Sequence, residues 1–150
     1  MGLDTSHDCW HGGYGSFMIW RKALAHAAWL PPLDFMEGFY DDLVKAAFIA
    51  DSVPFAWHRT VWVQELPIQW ECLKPDVLHE LLNHSDCDGE LKAYICAPLA
   101  ERLDRLYWVM REWEEDDPYF KRRKDYMAWT ERFAAGLRAA AESNENVEFG

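Results

Sequence analysis

The sequence predicts a mainly helical α+β fold, with about four to five helices and a small antiparallel sheet or hairpin. Half of the 150 residues are hydrophobic, so the chain can bury a core. Several segments repeat apolar residues at three- and four-residue spacing, which is the pattern of a helix that buries one side. A few short apolar or β-branched runs have the composition of strands. At this length one core is expected, and we interpret residues 1–150 as a single globular domain.

Elements in the first half of the chain are predicted from caps, prolines and short apolar runs. Residues 1–16 are rich in Gly, His and Asp, which favours a shaped loop. A helix is predicted to begin near Ser16, a suitable N-cap, and to end before Pro31-Pro32. Further elements are predicted as a helix over about residues 41–50 and strands over residues 60–64 and 66–70.

The second half is predicted to hold three helices. A short amphipathic helix lies between Pro75 and Asn83, and a long helix has Pro98 in its first turn. Pro118 is predicted to open the last helix, in which Gly136 permits a close helix contact, and the polar tail 142–150 is predicted to fray. The core sides of the two long helices are predicted to be Leu99, Leu103, Leu106 and Met110 in one and Tyr126, Thr130, Phe133 and Leu137 in the other.

The charge balance excludes some classes of partner. Acidic residues outnumber basic ones by 26 to 15, a net charge of −11, which repels phosphate backbones and disfavours sequence-independent nucleic-acid binding. No apolar stretch of about 18 residues occurs, so no membrane association is expected. The N-terminus lacks the pattern of a signal peptide, which favours a cytoplasmic location with reduced cysteines.

Polar, metal-competent residues are concentrated in two segments, which we call the first and second polar loops. The first is His7-Asp8-Cys9-Trp10-His11, and the second is His84-Ser85-Asp86-Cys87-Asp88-Gly89-Glu90. Imidazole and thiolate are the ligands that zinc prefers, so if the loops meet, a zinc site is a possible outcome. Its candidate ligands are His7, Cys9, His11, His84 and Cys87. Other members of a polar ligand site or structural network would be Asp8, Ser85, Asp86, Asp88 and Glu90.

Other interpretations of the two loops remain open. The second loop resembles part of a calcium-binding loop, but His84 stands at the first ligand position and Ile95 at the twelfth, so calcium is not expected. Neither loop has the paired spacing of a strong zinc motif. Asp, Ser and Gly also form turns by bonding nearby backbone amides, so both loops are compatible with a purely structural role.

Several segments spread over most of the chain carry a resemblance to known proteins. The most distinctive is His84-Ser85-Asp86-Cys87-Asp88-Gly89-Glu90, and the others are residues 1–12, 36–40, 66–70, 136–138 and 147–149. Together they resemble a family of small uncharacterised proteins from actinobacteria and their bacteriophages. The resemblance implies no particular activity or ligand. A bacteriophage source would imply an accessory or counter-defence role in the host cytoplasm.

Three functions compete on the sequence alone. The favoured one is a non-enzymatic binding protein whose two polar loops form a site for a protein partner or a small polar ligand. The second is a metal-dependent hydrolase in which His7, His11 and His84 hold the metal and Asp86 or Asp88 is the base. The third is a structural or assembly protein whose surplus tryptophans supply a homo-oligomer interface. The nine tryptophans are interpreted mainly as core residues, and a tryptophan-lined ligand surface or oligomer interface is the alternative. Whether the chain is an enzyme stays open, with non-enzymatic binding preferred.

Overall fold

The computed structural model describes residues 2–41, 43 and 66–150. Over these residues it confirms a mainly helical α+β fold, with four helices and two small antiparallel sheets. The elements are β1 (Gly2–Asp4), β2 (His11–Gly13), α1 (Tyr14–Ala27), α2 (His79–Leu82), β3 (Glu90–Leu91), α3 (Ala93–Arg111), α4 (Arg123–Ser143) and β4 (Val147–Glu148). The helix predicted over about residues 41–50 and the strand over 60–64 lie outside the described residues.

Helices α3 and α4 form the main packing unit and run in opposite directions. Asp104 pairs with Arg138 near one end, and Met110 accepts a weak hydrogen bond from Thr130 near the other. The periodic apolar residues predicted for each helix are all buried, as the three- and four-residue spacing requires. Within the described residues, no helix combines the length and apolar character that crossing a membrane demands.

Helix starts differ from the sequence prediction. Helix α1 begins at Tyr14, because strand β2 runs directly into it through the extended Gly13. Helix α3 begins at Ala93, so Pro98 lies inside the helix rather than in its first turn. Pro98 and Tyr94 are both exposed, so water can reach the Tyr94 carbonyl that the missing proline N–H leaves unbonded. Helix α4 begins at Arg123, after a single 3-10 turn at Phe120–Arg122.

The segment 66–70 does not form the predicted regular strand. Ile68 makes one isolated parallel bridge with Met36, and a 3-10 turn starts at Trp70. Ile68 is nevertheless buried, and its backbone groups are satisfied there, since its N–H donates to the Phe35 carbonyl and its own carbonyl accepts the Glu37 N–H. Residues 66–70 are therefore held through the backbone of Ile68 rather than by the repeated hydrogen bonds of a β-strand.

The C-terminal tail is ordered, which corrects the expectation that residues 142–150 fray. Helix α4 continues to Ser143, and β4 then pairs antiparallel with β3. Val147 and Phe149 are buried, and Gly150 exchanges two backbone hydrogen bonds with Asp4. Burial of these two apolar side chains and the backbone hydrogen bonds stabilise the docked tail, although the residues around them are polar.

An aromatic cluster fills the core beneath these elements. The ring of Trp10 stacks on that of Trp20 at 5.2 Å, and Phe17 and Phe133 pack beside them. The indole N–H of Trp20 donates to the Thr130 hydroxyl at 2.9 Å, in a fully buried position. Several of the tryptophans therefore serve the core, where large rings bury the most apolar area per residue.

Gly136 permits a close contact, but with the first polar loop rather than with another helix. A Cβ atom there would press on Cys9 Sγ and would lie 2.8 Å from the His7 carbonyl oxygen and 2.9 Å from Cys9 Cα. The loop thus rests directly on the backbone of α4. His7 and Asp8 adopt left-handed backbone angles, with φ of 58° and 57°, as the chain turns over this point.

Candidate functional site

The two polar loops do not meet, because residues 144–150, which we call the C-terminal segment, lie between them. On one side, Phe149 donates its N–H to the Gly89 carbonyl and stacks on the His84 ring at 4.1 Å. On the other side, the N–H of Glu148 donates to Ser6 Oγ at 2.8 Å. The C-terminal segment therefore joins both loops and separates their side chains.

In the first polar loop, each metal-competent group is engaged in an interaction that supports the fold. His7 Nε2 contacts Glu145 Oε1 at 3.2 Å, and His11 pairs with Asp4. Asp8 pairs with Arg132, which also donates to the Asp8 carbonyl. Cys9 is fully buried beside Gly136, and this burial raises the pKa of its thiol to about 12, so the thiolate form is strongly disfavoured.

The second polar loop is a turn closed by its own groups and by Arg21. The buried Arg21 guanidinium donates to the His84 carbonyl at 2.6 Å, and burial lowers the pKa of Arg21 to about 10. His84 Nδ1 donates to the Ser85 carbonyl, and Ser85 Oγ accepts the Cys87 N–H. Gly89 has a φ of 93°, which a residue with a side chain rarely adopts.

The remaining acidic groups of this loop do not converge on one point. Asp86 raises the pKa of Arg21 by its charge, against the larger effect of burial. Asp88 is exposed, and Glu90 pairs with Lys92 and accepts a hydrogen bond from the Asn146 amide at 2.9 Å. Glu90 thus holds the turn that follows α4.

The candidate zinc ligands are consequently not brought together. Over residues 2–41, 43 and 66–150, no group of three or more His, Cys, Asp and Glu side chains is arranged to hold a metal ion. The physical reason is that each side chain occupies a different environment. Cys9 is buried in the core, His84 is stacked on Phe149, and Cys87 is exposed. A metal-dependent mechanism through these residues gains no support from the geometry.

Ser6, His7 and Glu145 form a chain of hydroxyl, imidazole and carboxylate. Ser6 Oγ lies 3.0 Å from His7 Nδ1, and His7 Nε2 faces Glu145. The same three groups occur in serine hydrolases, but there the hydroxyl meets Nε2 and the carboxylate meets Nδ1, the reverse of the arrangement here. Here the Ser6 oxygen already accepts the Glu148 N–H, and the Asn146 amide in the same depression donates to Glu90. We therefore interpret the chain as a clasp that fixes the C-terminal segment to the N-terminal loop.

A larger depression, which we call the tryptophan pocket, lies where the end of α1 meets the end of α3. Its volume is about 490 Å³, within the usual range of ligand sites. Trp29 and Trp108 are 73% and 56% exposed, although large aromatic rings normally bury most of their surface. The pocket is lined by His26, Trp29, Trp108, Val109, Glu112, Trp113 and Asp117.

Trp29 is held in the pocket wall by an unusual helix end. The N–H of Leu30 donates to the Ala25 carbonyl and that of Trp29 to the His26 carbonyl, which is the Schellman pattern. The position that must be left-handed is occupied by Trp29, with a φ of 58°, where glycine is the usual residue. A bulky residue in this conformation costs about 1–2 kcal/mol, and such strain is concentrated at functional sites.

Hydrogen bonds and ring contacts hold the part of the pocket wall that His26, Trp113 and Asp117 form. His26 Nε2 donates to Asp117 Oδ2 at 2.8 Å, and its ring stacks on Tyr119 at 4.6 Å and tilts against Trp113 at 5.3 Å. Asp117 Oδ1 also accepts the Tyr119 N–H, and burial raises the pKa of the Tyr119 phenol to about 12. Arg123 donates to the Trp113 carbonyl and so fixes the turn after α3. These contacts hold His26, Trp113 and Asp117 in their places in the pocket wall.

Negative charge surrounds one rim of the pocket. Residues 112–117, which we call the acidic segment, include the exposed carboxylates of Glu112, Glu114, Glu115 and Asp116. Across the part of the chain that the structure describes, no salt bridge neutralises these four groups. Glu112 therefore places negative charge at the pocket and the other three place it nearby, while the exposed Arg111 guanidinium over the Trp108 ring offsets part of it.

The sequence allowed for a tryptophan-lined ligand surface but did not indicate which tryptophans would form it, although one signal was present. Trp108 falls off the apolar repeat of α3, where a polar residue is expected, and the acidic segment follows four residues later. An aromatic residue on the solvent side of a helix is a sign of an interaction surface. Trp29 and Trp108 come from distant parts of the sequence, so their proximity was visible only in the folded chain.

Comparison of the chain with protein-family models, with curated proteins and with solved structures finds no match in any of the three. The resemblance to the actinobacterial and bacteriophage family therefore stays a prediction. Functional inference has to rest on the geometry of the tryptophan pocket.

Proposed function

We propose that the protein is a non-enzymatic binding protein and that its binding site is the tryptophan pocket. The observation that carries this proposal is a depression of about 490 Å³ with two largely exposed indoles in its wall. Exposed apolar surface of this kind is costly in water and is typical of interaction sites.

The structure of the pocket wall supports this proposal further. Trp29 occupies a left-handed position that glycine would fill at lower cost, and this backbone angle fixes where the indole stands in the pocket wall. His26, Tyr119 and Asp117 hold each other in place behind Trp113, so a ligand would meet a wall that needs little ordering on binding. The left-handed angle at Trp29 costs stability in the unbound protein, and the contacts around His26 limit side-chain freedom there. Both favour ligand binding at the pocket.

A site in the two polar loops is the less favoured alternative for the same binding function. Their side chains are largely committed to each other, to Arg21 and to the C-terminal segment. Enzymatic function through these loops would require groups that are free to meet a substrate. A bacteriophage accessory or counter-defence role remains a hypothesis that rests on the family resemblance alone.

The proposal can be tested with benzyl alcohol, an uncharged aromatic probe, followed by NMR of the indole N–H groups. Each resonance is assigned by a single Trp→Phe substitution. We expect saturable shifts confined to Trp29, Trp108 and Trp113, with a dissociation constant of about 1 mM or weaker, as a fragment of this size allows.

Two variants make this test specific. Trp108→Ala removes one exposed wall of the pocket and is expected to weaken probe binding by at least about tenfold. Trp70→Ala is the matched control, since Trp70 donates to the Glu37 carbonyl outside the pocket and its loss is expected to leave binding unchanged. Shifts that never saturate, or that are equal at Trp70 and Trp108, would refute the pocket as a binding site.

A further inference from the structure

We propose that the occupant of the tryptophan pocket is a lysine or arginine side chain carried by a basic segment of a partner protein. This inference rests on the proposed function and adds the chemistry of the ligand. Two observations lead to it: the aromatic walls, and the acidic segment, which lines the pocket through Glu112 and Asp117 and continues beyond it.

The walls favour a cation over a neutral group. An indole face attracts cations through its ring quadrupole, and tryptophan does so most strongly among the aromatic residues. The Arg111 guanidinium already lies 5.0 Å from the centre of the Trp108 ring, so an incoming cation has to displace Arg111 or use the other face of this ring. Glu112 and Asp117 add carboxylates to the same lining, so a cation in the pocket meets both aromatic faces and negative charge.

The acidic segment favours a chain rather than a small ion. Glu112 lies at the pocket, whereas Glu114, Glu115 and Asp116 lie outside its lining and are exposed. A small cation bound between the indoles would leave these three carboxylates without a partner. A peptide with several basic residues can place one side chain in the pocket and others along the acidic segment, which is the charge complementarity of specific interfaces.

A second copy of this chain fits the same surface poorly. In a symmetric dimer the same patch faces itself, so two acidic segments would approach each other across the axis. Each copy also carries a net charge of −11, which adds repulsion at long range. The exposed tryptophans are therefore better matched to a basic partner than to self-association.

The experiment titrates the full-length protein with a blocked hexa-arginine peptide and with hexa-citrulline, which has the same shape without the charge. The indole N–H shifts of Trp29, Trp108 and Trp113 report occupation of the pocket. We expect hexa-arginine to shift these three resonances, hexa-citrulline to bind at least about tenfold more weakly, and the affinity for hexa-arginine to fall as salt rises.

Two triple variants separate local recognition from general attraction to an acidic protein. Glu112→Gln/Glu114→Gln/Glu115→Gln is expected to lower the affinity by about tenfold, from three lost exposed ion pairs. The control, Glu101→Gln/Glu131→Gln/Glu142→Gln, neutralises the same number of exposed carboxylates elsewhere and is expected to lower the affinity by less than about twofold.

Each contrary outcome has a distinct meaning. Equal losses in the two triple variants would overturn the inference in favour of unspecific attraction, and equal binding of hexa-citrulline would show that charge is not recognised. Light scattering that shows a dimer, which Trp108→Ala converts to a monomer, would assign the surface to self-association and overturn the inference. Binding of benzyl alcohol in the pocket without any preference for hexa-arginine would leave the proposed function intact and refute only this inference.

Discussion

Gly136→Ala is expected to destabilise the protein, although alanine is the better helix former. The new methyl group would overlap Cys9 Sγ and lie within 3 Å of two backbone atoms, the His7 carbonyl oxygen and Cys9 Cα. Overpacking against atoms that cannot rotate away costs about 3 kcal/mol, and the helix gains about 1 kcal/mol from alanine. The net loss in free energy of unfolding is therefore about 2 kcal/mol, or about 4–8 °C in Tm.

The matched control for this substitution is Gly15→Ala. Gly15 lies in α1, and an added Cβ would have no heavy atom within 4 Å, so this variant is expected to gain about 0.5 kcal/mol. Urea unfolding followed by circular dichroism at 222 nm measures both variants. Adding Cys9→Ala to Gly136→Ala should recover only part of the loss, since the two backbone contacts remain. A Gly136→Ala protein as stable as the parent would refute the close approach of the first polar loop to α4.

The remaining predictions concern a buried hydrogen bond, the C-terminal segment and acid stability. Thr130→Val should cost about 1–3 kcal/mol, because the Trp20 indole N–H loses its buried acceptor, whereas Thr130→Ser should retain the bond; urea unfolding compares them. Phe149→Ala should cost about 2–4 kcal/mol, measured in the same way, and an unchanged midpoint would mean that the tail does not dock. Desolvation, the largest effect, raises the pKa of Asp76, but the hydrogen bonds from Arg102 and from the Leu78 N–H together outweigh it, so the net pKa is below the ordinary 3.8. Because the pKa of Asp76 is lower in the folded than in the unfolded protein, its charged form stabilises the fold above about pH 4, and this stability is lost as the pH falls through the folded-state pKa. Asp76→Asn should therefore be less stable at neutral pH and should lose less stability in acid. Thermal melts between pH 2 and 7 would show both effects.

Local periodicity predicted the long helices well. The apolar residues of α3 and α4 recur at helical spacing, and every one of them named in advance is buried. The first residue of each helix was predicted less well, because it depends on the conformation of the residues that precede the helix. Strand β2 brings α1 forward to Tyr14, and the 3-10 turn at Phe120–Arg122 delays α4 to Arg123.

The polar loops show why clustering in sequence does not establish a site. His7, Cys9 and His84 are chemically suited to zinc, yet each has a closer partner within the fold. A side chain that is already hydrogen-bonded or buried must give up that contact before it can ligate a metal. Sequence reasoning had no means of weighing those competing contacts.

The sequence by itself determined the fold class, the core sides of the two long helices and the strongly acidic character of the surface. These properties depend on composition and on short-range spacing, which are fully present in the unfolded chain. Only the tertiary structure decided that the C-terminal segment divides the two polar loops, and that Trp29 and Trp108 share a wall beside the acidic segment. The physical reason is that these relations join residues far apart in the chain. Such residues come together because the packing of α1, α3 and α4 places them there, and no local pattern records that packing.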